Sequence, residues 1–258
     1  MKKRTLIVSL GIMLFSGIAF FFAYFRFHRP PALRDFTEIH KSGVLNVVTS
    51  YNSIDYYISG DTINGLQYDW CKYIEKRSDL KVNIFLENNL EICIQKLENN
   101  TYDIIALSIP ITNENRKIVN FTVPITQNKQ VLVQRKPAEN DTHFIANQIQ
   151  LAHKTVYVSQ HSPVILRLKN LSEEIAEPVY IKEVPEYTDE QLIYMVSGSS
   201  IDYAVVDKQI ALQNSKLFPN IDTQTDISFT QLQAWAVRKN SPILLDSLNV
   251  WISEKNPK

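Results

Sequence analysis

The sequence predicts an α/β protein of two lobes, each a mostly parallel sheet covered by helices, with a transmembrane helix at its N-terminus. Three observations lead to this prediction. Residues 6–25 form one apolar stretch without a charge. Strand-like and helix-like segments then alternate in two successive sets, which is typical of parallel sheets covered by helices. The roughly 220 residues after Arg34 are enough for two lobes of about a hundred residues each.

The apolar stretch at residues 6–25 is long enough to cross a hydrocarbon core about 30 Å thick, and basic residues flank it on both sides. A cleaved signal peptide is the alternative, since Gly17 and Ala19 form a small-x-small pair. Cleavage there would leave three phenylalanines at a water-exposed terminus. We therefore favour an uncleaved signal anchor and linker at residues 1–34. The folded part is then expected outside the inner membrane, in the periplasm of the cell envelope.

The first lobe is expected at residues 35–132, where strand, helix, strand, helix and strand follow one another. Short runs rich in β-branched residues mark the strands, and apolar residues at helical spacing mark the helices. These five segments are residues 44–50, 65–79, 81–87, 90–100 and 102–108.

The second lobe is expected at residues 133–232 and repeats the same order. Ser162 and Pro163 predict the cap and first residue of one helix, and Thr188 with Gln191 forms a capping box for the next. Residues 233–258 are expected to return to the first lobe as a strand and a last helix. The five segments of the second lobe are residues 154–159, 162–171, 178–184, 188–198 and 201–207.

Composition excludes several kinds of function. Lys plus Arg and Asp plus Glu both number 27, so no positive excess favours nucleic acid. None of the six glycines lies in a nucleotide-binding motif. Cys71 and Cys93 alone cannot form a disulfide framework or a four-ligand zinc site. Their helical positions predict buried thiols, and a disulfide between them is the alternative. We therefore expect no cofactor, no metal and no nucleic acid partner.

Five segments, in order and with matching spacing, resemble the type II periplasmic solute-binding proteins that serve polar amino acid uptake. They are GVLNVVTSYNS, GLQYDWCKYIEKR, YDIIALSIPITNENRKIVNFTVP, KTVYVSQHSP and IDYAVVDKQIA. Within that family, LFPNI and LQAWAVRKNSPILLDSLNVWI are similar to the N-terminal sensor module of membrane-bound lytic murein transglycosylase F. Together these segments cover almost the whole chain from about Ser42 to Glu254.

The resemblance implies a clamshell whose lobes close on a small ligand, with hinges expected at residues 130–136 and 232–237. Ligands of open α/β sheets lie beyond the carboxyl ends of the strands. Together, topology and resemblance predict these ligand-binding residues: Ser50, Tyr51, Tyr56, Ser108, Asn115, Arg116, Ser159, His161, Ser162 and Asp207.

The anion-binding end departs from the family pattern. Asn115 occupies the place of an arginine that clamps the ligand carboxylate, and asparagine cannot form the same bidentate charged contact. Arg116 would point about 100° away on a helix, so it forms either a ligand contact or a solvated face. Ser159, His161 and Ser162 precede a helix N-terminus, where a carboxylate or phosphate could bind. An exposed loop is the alternative for His161.

The cation-binding end is retained. Asp207 lies where the family places its ammonium-binding aspartate, although a carboxylate there is equally typical of a helix cap. Tyr51 and Tyr56 are candidates for stacking on a ligand, and Tyr56 stands where the family often has an aromatic residue. Core packing is the alternative for both rings.

These features predict a membrane-tethered solute-binding protein of the cell envelope that acts as a sensor module and is not an enzyme. An ABC amino acid uptake component is the alternative, so the partner is an ABC permease or a cell-wall enzyme. The chain stops at Lys258, a few residues past the last helix of the sensor module, so no lysozyme-like domain is expected. A cleft dehydratase on the same fold is a third reading, disfavoured because the sequence marks no carboxylate pair beyond Asp207.

Overall fold

The computed structural model describes residues 34–139, 143–160, 162–185 and 187–255. The predicted membrane helix at residues 6–25 lies outside the described residues, and so does His161. Among the helices that are described, none combines the length and the apolar character needed to cross a membrane.

The first lobe is a six-stranded sheet with helices on both faces. Its elements are α1 (Phe36–Ser42), β1 (Val44–Thr49), β2 (Tyr57–Ser59), β3 (Thr62–Asn64), α2 (Leu66–Ser78), β4 (Lys81–Leu86), α3 (Leu90–Glu98), β5 (Ile104–Pro110), α4 (Asn113–Ile118), β6 (Asn120–Phe121), β7 (Thr126–Asn128), β13 (Gln231–Val237) and α8 (Pro242–Lys255). The strand order of the sheet is β4-β1-β5-β13-β6, and β7 also pairs with β13, whereas β2 and β3 form a separate two-stranded sheet. Strand β1 runs parallel to β4 and β5, whereas β13 is antiparallel to its neighbours.

The two faces of this sheet bury alternate side chains of β1. Leu45 and Val47 pack in one apolar layer with Trp70 of α2, and Val48 packs in the other with Leu97 of α3. All five side chains are buried. A parallel sheet covered on both faces requires such continuous apolar runs, which is why the strands of this lobe could be predicted from the sequence.

Gly65 begins α2, as predicted, and its backbone explains why glycine stands there. Its φ is +132°, and a Cβ at this position would lie 2.2 Å from the main-chain oxygen of Asp55. Only glycine permits that close approach together with this dihedral angle. The approach fixes the loop that follows β1 against the start of α2.

The second lobe is a five-stranded sheet, again covered on both faces. Its elements are β8 (Gln130–Arg135), a 3-10 turn (Gln148–Leu151), β9 (Thr155–Ser159), α5 (Val164–Glu174), β10 (Tyr180–Val184), α6 (Asp189–Ser197), β11 (Ala204–Asp207), α7 (Lys208–Asn214) and β12 (Ile221–Asp222). The strand order is β10-β9-β11-β8-β12. Strand β9 is parallel to β10 and β11, and β8 is antiparallel to β11 and β12. One apolar layer includes α5, and the other includes α6 and α7.

The chain passes between the lobes at two points that differ from the predicted hinges. Lys129 separates β7 of the first sheet from β8 of the second, and the chain returns between Asp226, which still bridges to β8, and the start of β13. The predicted hinges at residues 130–136 and 232–237 are wrong, because those residues form β8 and β13 inside the sheets. The expected lobe boundaries fall within the same two strands. Extended apolar sequence does not distinguish a sheet strand from a crossing segment.

Two helix starts were predicted from capping signals, with different outcomes. The capping box of Thr188 and Gln191 is present at the start of α6. The predicted cap at Ser162 is wrong, because α5 begins at Val164 with Pro163 in the cap position. The main-chain N–H of Ser162 instead donates to the main-chain oxygen of Ser159 at 3.1 Å. Ser162 therefore closes a turn after β9.

Candidate ligand-binding site

Three polar side chains meet at the carboxyl ends of the strands in the second lobe. Ser159 ends β9, Asp207 ends β11, and Asp189 begins α6. The Ser159 hydroxyl donates to Oδ1 of Asp189 at 2.6 Å, and the main-chain N–H of Asp207 donates to Oδ2 of Asp189 at 2.9 Å. Because β9 and β11 are parallel neighbours, their ends lie at the same edge of the sheet. We call Asp189 and Asp207 the acidic pair.

Asp207 is the cap of α7. Its Oδ1 accepts hydrogen bonds from the main-chain N–H groups of Gln209 at 2.9 Å and Ile210 at 3.3 Å. Its Oδ2 accepts a hydrogen bond from the side-chain amide of Asn128, at the crossing between the lobes. The capping interpretation is therefore confirmed. Contact with a ligand stays a prediction that is compatible with the cap, because each carboxylate oxygen has a second lone pair.

The acidic pair lacks a basic side chain among its described hydrogen-bond partners. Desolvation, followed by the negative charge of Asp189, raises the pKa of Asp207 to about 6. Desolvation also raises the pKa of Asp189 above its usual range. An ammonium or guanidinium group placed here would relieve this repulsion and favour the ionised forms. The arrangement is therefore suited to a cationic group.

In the first lobe, the loop after β1 is organised around a buried carboxylate. Oδ2 of Asp55 accepts hydrogen bonds from the Ser50 hydroxyl at 2.6 Å and the Asn52 amide at 2.8 Å. Its Oδ1 accepts from the Gln67 amide at 3.3 Å, and the Trp235 indole donates to Gln67 at 2.7 Å. The hydroxyl of Ser50, a predicted ligand contact, is therefore held by a hydrogen-bond network that extends to Trp235 in the core.

The two predicted aromatic contacts differ in their surroundings. Tyr51 is 48% exposed, and its main-chain N–H donates to the Asn88 side chain at 3.0 Å. Tyr56 packs edge-on against Tyr68 of α2, with the ring centroids 5.8 Å apart. The Tyr51 side chain is therefore half exposed near the end of β1, whereas the ring of Tyr56 is partly engaged in packing.

Asn115 is turned back toward the strand that precedes it. Its side-chain amide donates to the main-chain oxygen of Pro110 at 3.1 Å, and its main-chain N–H donates to the Thr112 hydroxyl at 3.2 Å. These bonds close the short connection between β5 and α4. Asn115 is therefore a local structural residue here, and ligand contact would require its side chain to leave Pro110.

Arg116 and Ser108 lie on either side of this connection. Arg116 is exposed, as the solvated-face reading predicts. It lines a groove of about 370 Å³ together with Pro110, Ile111, Thr112, Phe121, Thr122, Pro124, Gln231 and Leu232. Ser108 is partly buried in β5, and its hydroxyl has no hydrogen bond with any described residue. A role in ligand binding stays a prediction for both.

The predicted anion site after β9 has a different character. The Ser159 hydroxyl donates to a carboxylate, and Ser162 closes a turn through its main chain. An anion next to Ser159 would be repelled by the acidic pair. Ser159 is therefore bonded to the acidic pair, and an anion contact at this residue stays a prediction. His161 lies outside the described residues.

Sequence reasoning missed Asp189 and Asn128. Asp189 follows the Thr188 cap and looks like an ordinary acidic residue in the first turn of a helix. The available signal was topological, since β10 and β11 both flank β9 and their carboxyl ends lie at one edge. Asn128 could not be found in this way, because the crossing point was not predicted.

A family model for bacterial extracellular solute-binding proteins, family 3, matches residues 45–256. The chain belongs to this family. It is similar to the membrane-bound lytic murein transglycosylase F of Desulfosudis oleivorans, with 27% identity over 252 residues that cover 98% of this chain and 53% of that protein. The protein of the same description from Alcanivorax borkumensis is 24% identical over 202 residues, which cover 77% of this chain and 42% of the relative. The chain thus spans about half of these relatives or less.

Solved structures of solute-binding proteins share the fold. Holo ArgBP from T. maritima has a TM-score of 0.73 and 23% identity, over 86% of this chain and 95% of that chain. The amino acid ABC transporter substrate-binding protein AbpA from Streptococcus pneumoniae, in a structure bound to L-arginine, has a TM-score of 0.71 and 16% identity, over 85% and 91%. The two lobes of this family member therefore form the predicted type II clamshell.

Proposed function

We propose that this chain is a membrane-tethered solute-binding protein of the bacterial cell envelope, which closes on a small polar ligand and acts as a sensor or regulatory module. The ligand is an amino acid, a short peptide or a cell-wall fragment that carries a cationic group. The observation that carries this proposal is the acidic pair at the strand ends of the second lobe, with the pKa of Asp207 raised to about 6.

The state of Asn115 narrows the class of ligand. A free α-amino acid needs a partner for its carboxylate, and the side chain at this position is an amide bound to Pro110. A ligand that has no free α-carboxylate does not need an arginine at position 115, so the asparagine does not lower its affinity. We therefore favour a peptide or a cell-wall fragment over a free amino acid.

The sensor role rests on two further points. The apolar stretch at residues 6–25 provides a tether that would keep the module at the membrane. The similarity to lytic murein transglycosylase F favours a cell-wall enzyme as the regulated partner. An ABC uptake component is the second candidate, favoured by the fold shared with AbpA. A neighbouring permease and ATPase in the genome would support uptake, and their absence would support sensing.

Ligand binding is tested in two steps. Native mass spectrometry of the purified protein first looks for a co-purified small molecule. Calorimetric titration then compares L-arginine, the other L-amino acids and diaminopimelate-containing muropeptides. The Asp207→Asn variant should lose at least ten-fold in affinity for the ligand found, because a charge-assisted bond contributes about 1.5–3 kcal/mol. Asp246→Asn, on the exposed face of α8, is the matched control and should bind as the wild type does.

We propose no catalytic activity for this chain, although the structure contains a carboxylate pair that the sequence did not mark. The sequence marked no carboxylate partner for Asp207, and Asp189 is such a partner. Paired carboxylates of different pKa can perform acid–base chemistry, so a dehydratase is the candidate that this observation favours next. Incubation of the protein with a cyclohexadienyl substrate distinguishes a dehydratase from a binding protein, since an aromatic product would absorb in the near ultraviolet. We expect no aromatic product.

A further inference from the structure

A short loop of the first lobe reaches across to the second. It consists of residues 52–55, which lie between β1 and β2. The main-chain N–H of Ser53 donates to Oε1 of Glu190 in α6 at 2.6 Å, and the side-chain amide of Asn214 in α7 donates to the Ser53 hydroxyl at 3.3 Å. One residue of the first lobe is thus bound by two helices of the second.

The next residue adds an apolar contact in the same direction. Ile54 packs against the apolar cluster of the second lobe that contains Leu192, Val206 and Ile210. Ile54 belongs to the first lobe by its position between β1 and β2, so its side chain removes apolar surface from water only while the lobes are together. Polar and apolar contacts therefore favour the same closed arrangement.

The loop is pre-organised for this contact. Oδ1 of Asn52 accepts the main-chain N–H groups of Ile54 at 2.9 Å and Asp55 at 2.7 Å. The main-chain oxygen of Ile54 accepts the N–H of Leu66 at 2.8 Å, and Asp55 is anchored by the buried network described above. The N–H of Ser53 is the main-chain donor of this loop that points across to the other lobe. A rigid donor loses little entropy on docking.

We infer that residues 52–55 are a latch that holds the two lobes closed without a ligand. The latch uses Ser53, Ile54, Glu190 and Asn214, none of which belongs to the predicted ligand contacts. It follows that ligand entry requires opening of the latch, and that the unliganded protein populates a closed form. This inference does not depend on which ligand binds.

The test measures the distance between the lobes in the full chain, solubilised in detergent and freed of co-purified ligand. Spin labels are attached at Lys76→Cys in the first lobe and Lys169→Cys in the second, both exposed positions. Cys71 and Cys93 are buried, and desolvation raises the pKa of each thiol to about 12, so they resist labelling. Pulsed electron paramagnetic resonance then gives the distance distribution.

We expect one short distance in the labelled wild type and a shift to longer distances in Glu190→Ala. Glu190→Gln retains an acceptor oxygen and should keep the short distance. Glu173→Ala removes the same charge from an exposed position of α5 and is the matched control. Ile54→Ser removes the apolar contact independently and should also open the lobes. An open distance in the unliganded wild type would overturn the inference, and so would an unchanged short distance in both Glu190→Ala and Ile54→Ser, with folding checked by circular dichroism.

Discussion

Asp207 donates its main-chain N–H to the carboxylate of Asp189 across 2.9 Å. This bond joins the end of β11 to the start of α6 and holds two carboxylates of like charge at one strand edge. The arrangement costs stability in the empty protein whenever both groups are ionised. A cation bound there, as proposed, would remove that cost, and the same two residues would then link ligand binding, pH and folding.

The stability of the unliganded protein should fall as the pH rises from about 4 to about 6. The pKa of Asp207 is raised to about 6 in the folded state, so the folded protein binds the proton more tightly than the unfolded chain does. This contribution is fully present below the unfolded pKa and is lost as the pH rises through the folded value. Urea denaturation at several pH values measures it.

Replacing Asp189 should weaken this pH dependence. In Asp189→Asn the negative charge is gone, while the amide retains an oxygen that accepts the N–H of Asp207. The pKa of Asp207 should therefore fall but stay above its ordinary range, because desolvation, the larger cause, remains. An unchanged pH profile in this variant would show that the two carboxylates are not coupled.

Restoring the arginine at position 115 should create affinity for free α-amino acids. Asn115→Arg provides a bidentate partner for a carboxylate in the cleft. It also removes the bond from Asn115 to Pro110, which should cost about 1 kcal/mol of unfolding free energy. Calorimetry against a panel of amino acids measures the gain, with Asn113→Arg on the exposed side of the same helix as the control. If no amino acid binds more tightly, position 115 does not face the ligand.

The sequence was a good guide to local structure and a poor guide to contacts between distant elements. Apolar runs predicted the strands, since each sheet is buried on both faces, and the Thr188 capping box is a signal within four residues. The bond between Ser53 and Glu190 joins residues 137 positions apart, and it exists only because the lobes dock. No periodicity or capping signal encodes such a contact.

The residues of the candidate site show the same difference between local signals and contacts of distant elements. Asp207 could be predicted because it ends a strand with a strong apolar pattern. Asp189 was missed, because its role depends on where the end of β10 lies relative to β9 and β11, a topological signal that no local pattern contains. The hinges were misplaced because β8 and β13 are themselves extended and apolar, so their pairing partners, rather than their composition, decide the lobe in which each lies.

A buried ion cluster should contribute strongly to folding. Asp103 is fully buried and accepts hydrogen bonds from Arg34 at 2.7 Å, Arg238 at 3.0 Å and the main-chain N–H of Asn46 at 3.0 Å. Asp103→Asn would leave two guanidinium groups without a carboxylate. Because an uncompensated buried charge is costly, we expect a loss of about 3–5 kcal/mol in the free energy of unfolding.

Urea denaturation of a chain that lacks residues 1–25 measures this loss. Glu254→Gln is the matched control, because its ion pair with Arg77 is exposed and should contribute almost nothing. If Asp103→Asn were as stable as this control, the two arginines would be satisfied by main-chain oxygens and the remaining amide oxygen, without a carboxylate. Arg238 already donates to those of Leu97 and Tyr102.

Ligand affinity should rise with pH up to about 6 and then level off. A cationic group bound at the acidic pair favours ionised Asp207, so the pKa of Asp207 is lower in the complex than in the free protein. Binding must then release a proton below that pH, and affinity can change by at most about ten-fold per pH unit for one such group. Calorimetric titrations in buffers of different ionisation enthalpy count the protons released. Asp207→Asn should give a flatter profile, to which Asp189 alone contributes. An affinity that instead increases toward acidic pH would mean that the acidic pair binds in its protonated form, and that its partner on the ligand is not a cation.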